Sequence, residues 1–189
     1  MSQALYRPTH MSAETEFEIA RITLRFDHDE DRISLAAADA GGAERVLWLT
    51  RRLLARLLPV LREWLEAGSA VAARSLPQWR DSVLAMEHAV IVTNAAMHDS
   101  AAAVRGAADG ILVTRIDLQR RDAQVRLNFM DGARTFACLG LDRTGLHRFA
   151  GALARQMQLA EWVKPEDLAW LGAEAQEDLS ATAKPFTLN

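Results

Sequence analysis

Apolar and polar residues alternate in two separate parts of the chain, which is the period-two pattern of a strand with one buried face. Ile22, Leu24 and Phe26 alternate with polar residues in the first part, and Ile116 and Leu118 do so in the second. Each run is followed by a second alternating run and then by a third apolar run, over 32–35 and 44–49 in the first part and over 124–127 and 135–141 in the second. The pattern therefore predicts three strands in each part.

A helix is predicted after each set of strands. Thr50 and Asp142 stand directly after the third strands, and both residue types are favoured at a helix N-cap because the side-chain oxygen accepts a backbone N–H. Apolar residues then recur at spacings of three and four, as on a buried helical stripe, at Leu53, Leu54, Leu57, Leu58 and Leu61 and at Leu146, Phe149, Ala150 and Leu153.

The two parts are predicted to be copies of one unit. A shift of 92 residues lays 32–66 over 124–158 without a gap, and turns built on Asp39 and Asp131 with following glycines match in position. We therefore predict an α+β fold made by internal duplication of a β-β-β-α unit, with an antiparallel sheet or sheets, as one joined sheet, and with the helices packed on one face. The predicted segments of this one compact domain are a first repeat at 14–66, a linker with a helix at 67–110, a second repeat at 111–162 and a C-terminal tail at 163–189.

The linker and the tail carry weaker patterns. Ser75 can cap a linker helix that has Pro77 in its first turn, and the residues that would share one face of it are Trp79, Val83, Met86 and Val90. The β-branched residues within 88–94 leave a strand open as the alternative there. A flexible connection is expected over 97–110, and a short amphipathic turn from Lys164 is expected to precede a loosely ordered end.

Composition adds limits of its own. Half of the residues are hydrophobic and a quarter are charged, as in soluble globular proteins, and no apolar run approaches the ~20 residues of a membrane span. A single cysteine, Cys138, cannot form an internal disulfide, so a reducing, cytoplasmic location is expected. Nearly all basic residues are arginine and alanine is abundant, which suggests a bacterial source. Whether residues 1–10 are native stays open.

Motifs that would indicate catalysis are missing from the sequence. There is no glycine-rich phosphate loop, no G-x-S-x-G elbow and no metal-type spacing of histidines. Cys138 lies in an apolar predicted strand, where a small buried residue is expected rather than a nucleophile. The sequence therefore predicts no catalytic, cofactor-binding or metal-binding residue, and it favours a protein that is not an enzyme.

The segment FDHDEDR at 26–32 concentrates four acids and one histidine. Successive side chains of a tight hairpin point to alternate sides, and the glycine that a calcium loop requires is missing. The corresponding turn of the second unit begins with two arginines, so the turn accepts either charge. We interpret the segment as a solvated hairpin tip and expect it to contact a protein partner, together with a tryptophan of the tail, through Asp27, Asp29, Glu30, Asp31 and Trp170.

Arginines fill the polar positions of the predicted strands. If the apolar alternates face the helices, one outer sheet face should carry Arg21, Arg25, Arg32, Arg45, Arg115 and Arg126. Residues 114–162 contain eight bases and five acids, a net charge of +3. A basic sheet face can follow a nucleic-acid backbone, although base stacking needs aromatic side chains as well. The parity of Trp48 on the third strand stays open.

In its architecture, the tandem meander-plus-helix unit broadly resembles the PUR-repeat and Whirly-type single-strand nucleic-acid binders. Those units carry four strands where this sequence predicts three, and their sequence motifs are not found here. The resemblance covers 20–66 and 114–162 and carries over no functional residue.

Function is predicted as binding or assembly through protein–protein interaction, with another protein or a second copy of the chain as the partner. The alternative is single-stranded nucleic-acid binding on the arginine face, and an enzyme of unknown class is the third hypothesis. Neither a membrane partner nor a cofactor is expected.

Overall fold

The computed structural model describes residues 16–96, 110–121, 124–172 and 186–188. The first half forms β1 (Phe17–Ile19), β2 (Arg21–Asp27), β3 (Arg32–Ala38), β4 (Glu44–Leu49) and helix α1 (Arg51–Ala67). The linker follows with α2 (Ala70–Arg74), the 3-10 helix η1 (Pro77–Trp79) and α3 (Arg80–Ala96). The second half forms β5 (Gly110–Leu112), β6 (Arg115–Arg121), β7 (Gln124–Asp131), β8 (Arg134–Leu141) and α4 (Arg143–Leu159), and the 3-10 helix η2 (Pro165–Leu171) and β9 (Phe186–Leu188) end the described chain.

The predicted α+β fold with a repeated meander-and-helix unit is confirmed. Both predicted N-caps form: the Thr50 hydroxyl accepts the N–H of Leu53 at 3.3 Å, and the Asp142 carboxylate accepts the N–H of Gly145 at 2.6 Å. These caps begin α1 and α4 at matching places in the two units because the side-chain oxygen satisfies a backbone donor that has no partner inside the helix.

Each unit has four strands rather than the three predicted. The additional strands, β1 and β5, contain only three residues each, which is too short for a period-two pattern to register.

The strands form two sheets, which corrects the expectation of one joined antiparallel sheet. One has the order β1-β8-β7-β6 and the other the order β5-β4-β3-β2-β9. Both are mixed, because β1 pairs in parallel with β8 and β5 pairs in parallel with β4. The units thus exchange their first strands: β1 joins the sheet of the second unit, and β5 joins the sheet of the first.

The helix of each unit also contacts a strand of the other unit. The Gln156 side chain on α4 accepts the backbone N–H of Phe26 on β2 at 2.8 Å, and the ring of Trp162 meets Phe26 edge-on. On the other side, the guanidinium of Arg120 on β6 lies over the ring of Trp64 on α1. One contiguous core fills the space between, and its largest fully buried side chains include Phe129 and Phe149.

The linker forms a helix throughout 80–96, so the strand alternative for 88–94 is wrong. Ser75 is not its N-cap, because it ends the preceding α2, and Leu76 begins the 3-10 turn that leads into α3. Most of the expected flexible connection lies outside the described residues, and Gly110 at its end belongs to β5.

The tail also differs from expectation. The predicted turn is the 3-10 helix η2, whose Leu168 and Leu171 are buried. Phe186–Leu188 forms β9, which pairs antiparallel with β2, so a tail expected to be loosely ordered contributes an edge strand. The part between η2 and β9 lies outside the described residues.

Candidate functional site

The six arginines of the predicted basic face lie on two different sheets. Arg21, Arg25 and Arg32 lie on the five-stranded sheet, and Arg115 and Arg126 lie on the four-stranded one. The prediction for the sixth, Arg45, was wrong. On β4 it lies on the same side as the buried Leu47 and Leu49, so it does not belong to an outer face.

Arg45 joins the two sheets instead of lining an outer face. Its guanidinium donates to the carbonyl oxygen of Phe136 at 3.1 Å and lies 4.5 Å from the ring centroid of Phe17. A cation over an aromatic ring is stabilised by the ring quadrupole, so the side chain has a structural role at the junction of the sheets.

Arg126 is largely enclosed, with a side chain 18% exposed. Its guanidinium contacts Glu16 at 2.8 Å and Glu18 at 3.5 Å, both from the segment that forms β1 and leads into it. It also donates to the sulfur of Cys138 at 2.8 Å. Burial raises the pKa of the Cys138 thiol, which keeps the sulfur protonated and poorly nucleophilic.

Two further arginines have carboxylate partners at short range. Arg115 donates to Asp117 two residues along the same strand, and Arg32 lies 3.6 Å from Glu30. The two carboxylates offset the positive charge of Arg115 and Arg32, so these arginines contribute less to a basic face than the alternation pattern suggested.

The acidic hairpin tip is held together by its own side chains. Asp27 accepts the backbone N–H groups of Asp29 and Glu30 at 3.1 and 3.0 Å, which closes the turn between β2 and β3. Asp31 has a positive φ of 47° and accepts the indole N–H of Trp162 at 3.3 Å. Within the described ranges, no three histidine, cysteine or acidic side chains come together in a way that could hold a metal ion.

Trp170, expected as a partner contact with the tip, is only 3% exposed. It belongs to η2, which packs against α3 beside the buried Leu168 and Leu171. While that packing holds, its ring is not available to a partner, so its role here is internal.

A buried histidine pair lies between α3 and α4. The ring centroids of His88 and His147 are 5.8 Å apart. Among the described residues neither nitrogen of His147 has a hydrogen-bond partner, and a carboxylate oxygen of Glu87 lies 3.8 Å from its Nε2. Burial, together with a nearby arginine in each case, lowers the pKa of both imidazoles to about 4. The rings are therefore neutral at neutral pH and serve as packing groups. His88 packs over Gly151, since a Cβ there would lie 2.6 Å from its ring.

The exposed side of α3 is the most unusual surface of the described chain. Solvent-facing positions follow one another at intervals of three or four from the end of η1 along α3. We call them the α3 outer face: Trp79 of η1, and Ser82, Met86, Val90 and Thr93 of α3. Three of these are large and apolar, with Trp79 58%, Met86 71% and Val90 62% exposed. No member of the stripe is charged.

Helix α1, of the same length, provides the contrast. Its exposed side carries charged residues, as on an ordinary surface helix, namely Arg51, Arg52, Arg56 and Glu63, beside the small or apolar Ala55, Pro59 and Ala67. A helix that is apolar on all sides is ordinarily covered on all sides. The inner side of α3, with Leu84 and His88, is covered by this chain, whereas the α3 outer face is open.

The charged residues of α3 all form ion pairs with other helices of this chain. Asp81 pairs with Arg62 at 2.5 Å, and Arg80 pairs with Glu66 at 2.5 Å, both on α1. Glu87 accepts from Arg143 on α4 and from the Ser69 hydroxyl. These contacts fix the rotation of α3 about its axis and direct its uncharged side to solvent.

The sequence grouped Trp79, Met86 and Val90 correctly on one face of a linker helix, but the pattern did not reveal that this face is the open one. Val83, predicted with them, is half-buried, and Ser82 takes its place in the stripe. The missed signal is the position of the charges, since Arg80, Asp81 and Glu87 all fall on the opposite side.

No protein-family model matches the chain, and no curated protein matches it. Among the described helices, none combines the length and the apolar character needed to cross a membrane.

Proposed function

We propose that this chain is a non-enzymatic binding or assembly protein that acts through protein–protein contact, and that the α3 outer face is its docking surface. The observation that carries the proposal is the exposed, uncharged stripe of Trp79, Met86 and Val90 on a helix whose charges are all paired with other helices of this chain.

The size of the surface supports docking. Together with the neighbouring Leu76, which is 61% exposed, the three large side chains leave roughly 500 Å² of apolar surface open. Contiguous apolar patches of that size on a monomer are commonly functional. Trp79 is also the residue type most enriched among the few side chains that dominate binding energy.

The chemistry of the surface defines the partner. A charged group placed against the centre of the stripe would lose water and find no charge to pair with. The fitting partner is a protein that presents an apolar, uncharged helix face, packed at an axis separation of about 8–10 Å.

Photo-cross-linking in the native host tests this proposal. A photoreactive phenylalanine derivative replaces Met86 in the full chain, and the matched control carries it at Leu112, a 41% exposed apolar residue on β5 outside the α3 outer face. We expect a discrete protein adduct from position 86 that is lost when Val90→Glu is added, and no such adduct from position 112. Equal labelling from both positions would count against a docking role.

Nucleic-acid binding is a second candidate, on the five-stranded sheet alone. The register places Arg25 opposite Ser34, and Ser34 opposite Trp48, so an arginine and an aromatic ring share the outer side of this sheet. Arginine for the backbone and an aromatic ring for a base are what single-strand binding requires.

Fluorescence anisotropy with labelled single-stranded DNA and RNA tests the second candidate. At low salt, binding should be tighter than about 100 µM, should weaken with added salt, and should fall with Trp48→Ala and Arg25→Ala. Affinity at or below the non-specific level would remove this candidate without affecting the docking proposal.

A further inference from the structure

We infer that the occupant of the α3 outer face is a second copy of this chain, with the two α3 helices packed antiparallel about a two-fold axis. This inference rests on the proposed function and names the partner of the same surface.

The absence of charge along the stripe favours self-association. A two-fold interface places the same patch on both sides, so a charged residue near the axis would approach its own copy. Between Ser82 and Thr93 the only charged residue is Glu87, which is turned inward and engaged by Arg143. Self-pairing of this stripe therefore brings no like charges together.

The order of side-chain sizes along α3 also fits an antiparallel pair. With the axis near residue 84, between Ser82 and Met86, Trp79 lies opposite the partner's Val90, and Met86 lies opposite the partner's Ser82. Each large side chain thus meets a smaller one, as interdigitating helix surfaces require. A parallel pair would instead set Trp79 against the partner's Trp79 and Met86 against the partner's Met86.

The area reaches the lower bound for a specific dimer. If the roughly 500 Å² of exposed side chain at Leu76, Trp79, Met86 and Val90 is buried completely on each copy, about 1,000 Å² is removed from solvent in total, the size at which specific interfaces begin.

Sedimentation equilibrium of the purified full chain at concentrations up to roughly 100 µM measures the dimer dissociation constant. For the unmodified chain we expect a mass of twice 20.9 kDa. Met86→Glu should raise the dimer dissociation constant at least about 100-fold, because it places two unpaired carboxylates near the axis. Met86→Leu keeps the apolar contact and Leu112→Glu lies elsewhere, so both should dimerise like the unmodified chain. Circular dichroism shows that each variant is folded.

A spin-label distance tests the antiparallel arrangement without altering the apolar residues. Thr93→Cys is labelled with a nitroxide, and buried Cys138 is shielded from the reagent. In the antiparallel pair the two labels lie about 27 Å apart, because some 17 residues of rise at ~1.5 Å each separate them by about 26 Å along the axis and the two helices lie about 9 Å apart. A parallel pair would bring them within about 10 Å, which would overturn the arrangement.

The outcomes separate the two proposals. A chain that stays monomeric while position 86 still cross-links to a different protein overturns the second-copy inference and leaves the docking surface in place. A dimer that survives Met86→Glu forms through another surface and also overturns the inference. A monomer with no adduct at position 86 overturns both.

Discussion

The buried histidine pair between α3 and α4 makes the free energy of unfolding depend on pH. His88 and His147 have pKa values of about 4 in the folded protein, whereas an unfolded histidine titrates near 6.5. Between these values the unfolded chain binds protons that the folded protein does not. Stability therefore rises with pH across this window and is lost as the pH falls from about 6.5 towards 4.

The magnitude follows from the size of the shift. A difference of about 2.5 pKa units corresponds to about 3 kcal/mol for each histidine, and near pH 5 the slope is about 1 kcal/mol per pH unit for each. The two rings are 5.8 Å apart, so protonation of one opposes protonation of the other. Arg143 and Arg155 oppose it as well, whereas Glu87 favours it at His147.

Urea unfolding at several values between pH 4.5 and 7.5 measures this dependence. His88→Leu and His147→Leu keep the pocket apolar and remove the titrating group, and His147 gives up no hydrogen bond when replaced. Each single variant should lose about half of the histidine contribution to the slope of unfolding free energy against pH, and the double variant should lose nearly all of it. The matched control is His28→Gln, which removes a histidine from the exposed hairpin.

The comparison between variants isolates the histidines, because the carboxylates titrate in all of them alike. If the double variant and the unmodified protein lose stability in parallel between pH 6.5 and 4.5, the rings are not buried as neutral groups and the reasoning fails.

Three substitutions test other parts of the fold, each by urea unfolding at neutral pH. Gly151→Ala should lower the free energy of unfolding by about 1–3 kcal/mol, because the new Cβ forces the ring of His88 to move. In an unobstructed helix the same substitution would raise that free energy by about 1 kcal/mol, so an increase would refute the close contact. Asp142→Ala should cost about 1 kcal/mol because the N–H of Gly145 loses its cap, and an unchanged midpoint would contradict that. Asp27→Ala should cost about 1 kcal/mol while Asp27→Asn, which keeps an acceptor for the turn, should cost less; equal losses would assign the effect to charge.

The strands and caps of the repeated units were predictable because their signals are local. Alternation along β2 and β6 predicted both strands, and Ile22 and Leu24 are buried as expected, although Ile116 and Leu118 are only half-buried. Thr50 and Asp142 mark where each helix begins. Both kinds of signal act within a few residues, so a single sequence carries them in full.

The exchange of first strands was not predictable in the same way. β1 and β5 are three residues long, and their parallel pairing with β8 and β4 depends on chain segments far away in sequence. The side of Arg45 was missed for a different reason. Apolar residues occupy both sides of β4, with Val46 and Trp48 on one side and Leu47 and Leu49 on the other, so alternation did not decide which side faces the core. Trp170 likewise became internal through packing of η2 on α3.

Duplication itself indicates where binding should reside. The two repeated units cover each other, since α4 reaches β2, Arg120 of β6 reaches α1, and each unit completes the other's sheet. Among the described residues, helix α3 and its open uncharged side occur once. A single patch that pairs with its own copy about a two-fold axis closes at two subunits, whereas a patch that needed a different complementary patch on each chain would propagate. The unrepeated linker helix thus predicts a closed dimer rather than a filament, and a concentration series that kept adding mass beyond two chains would contradict it.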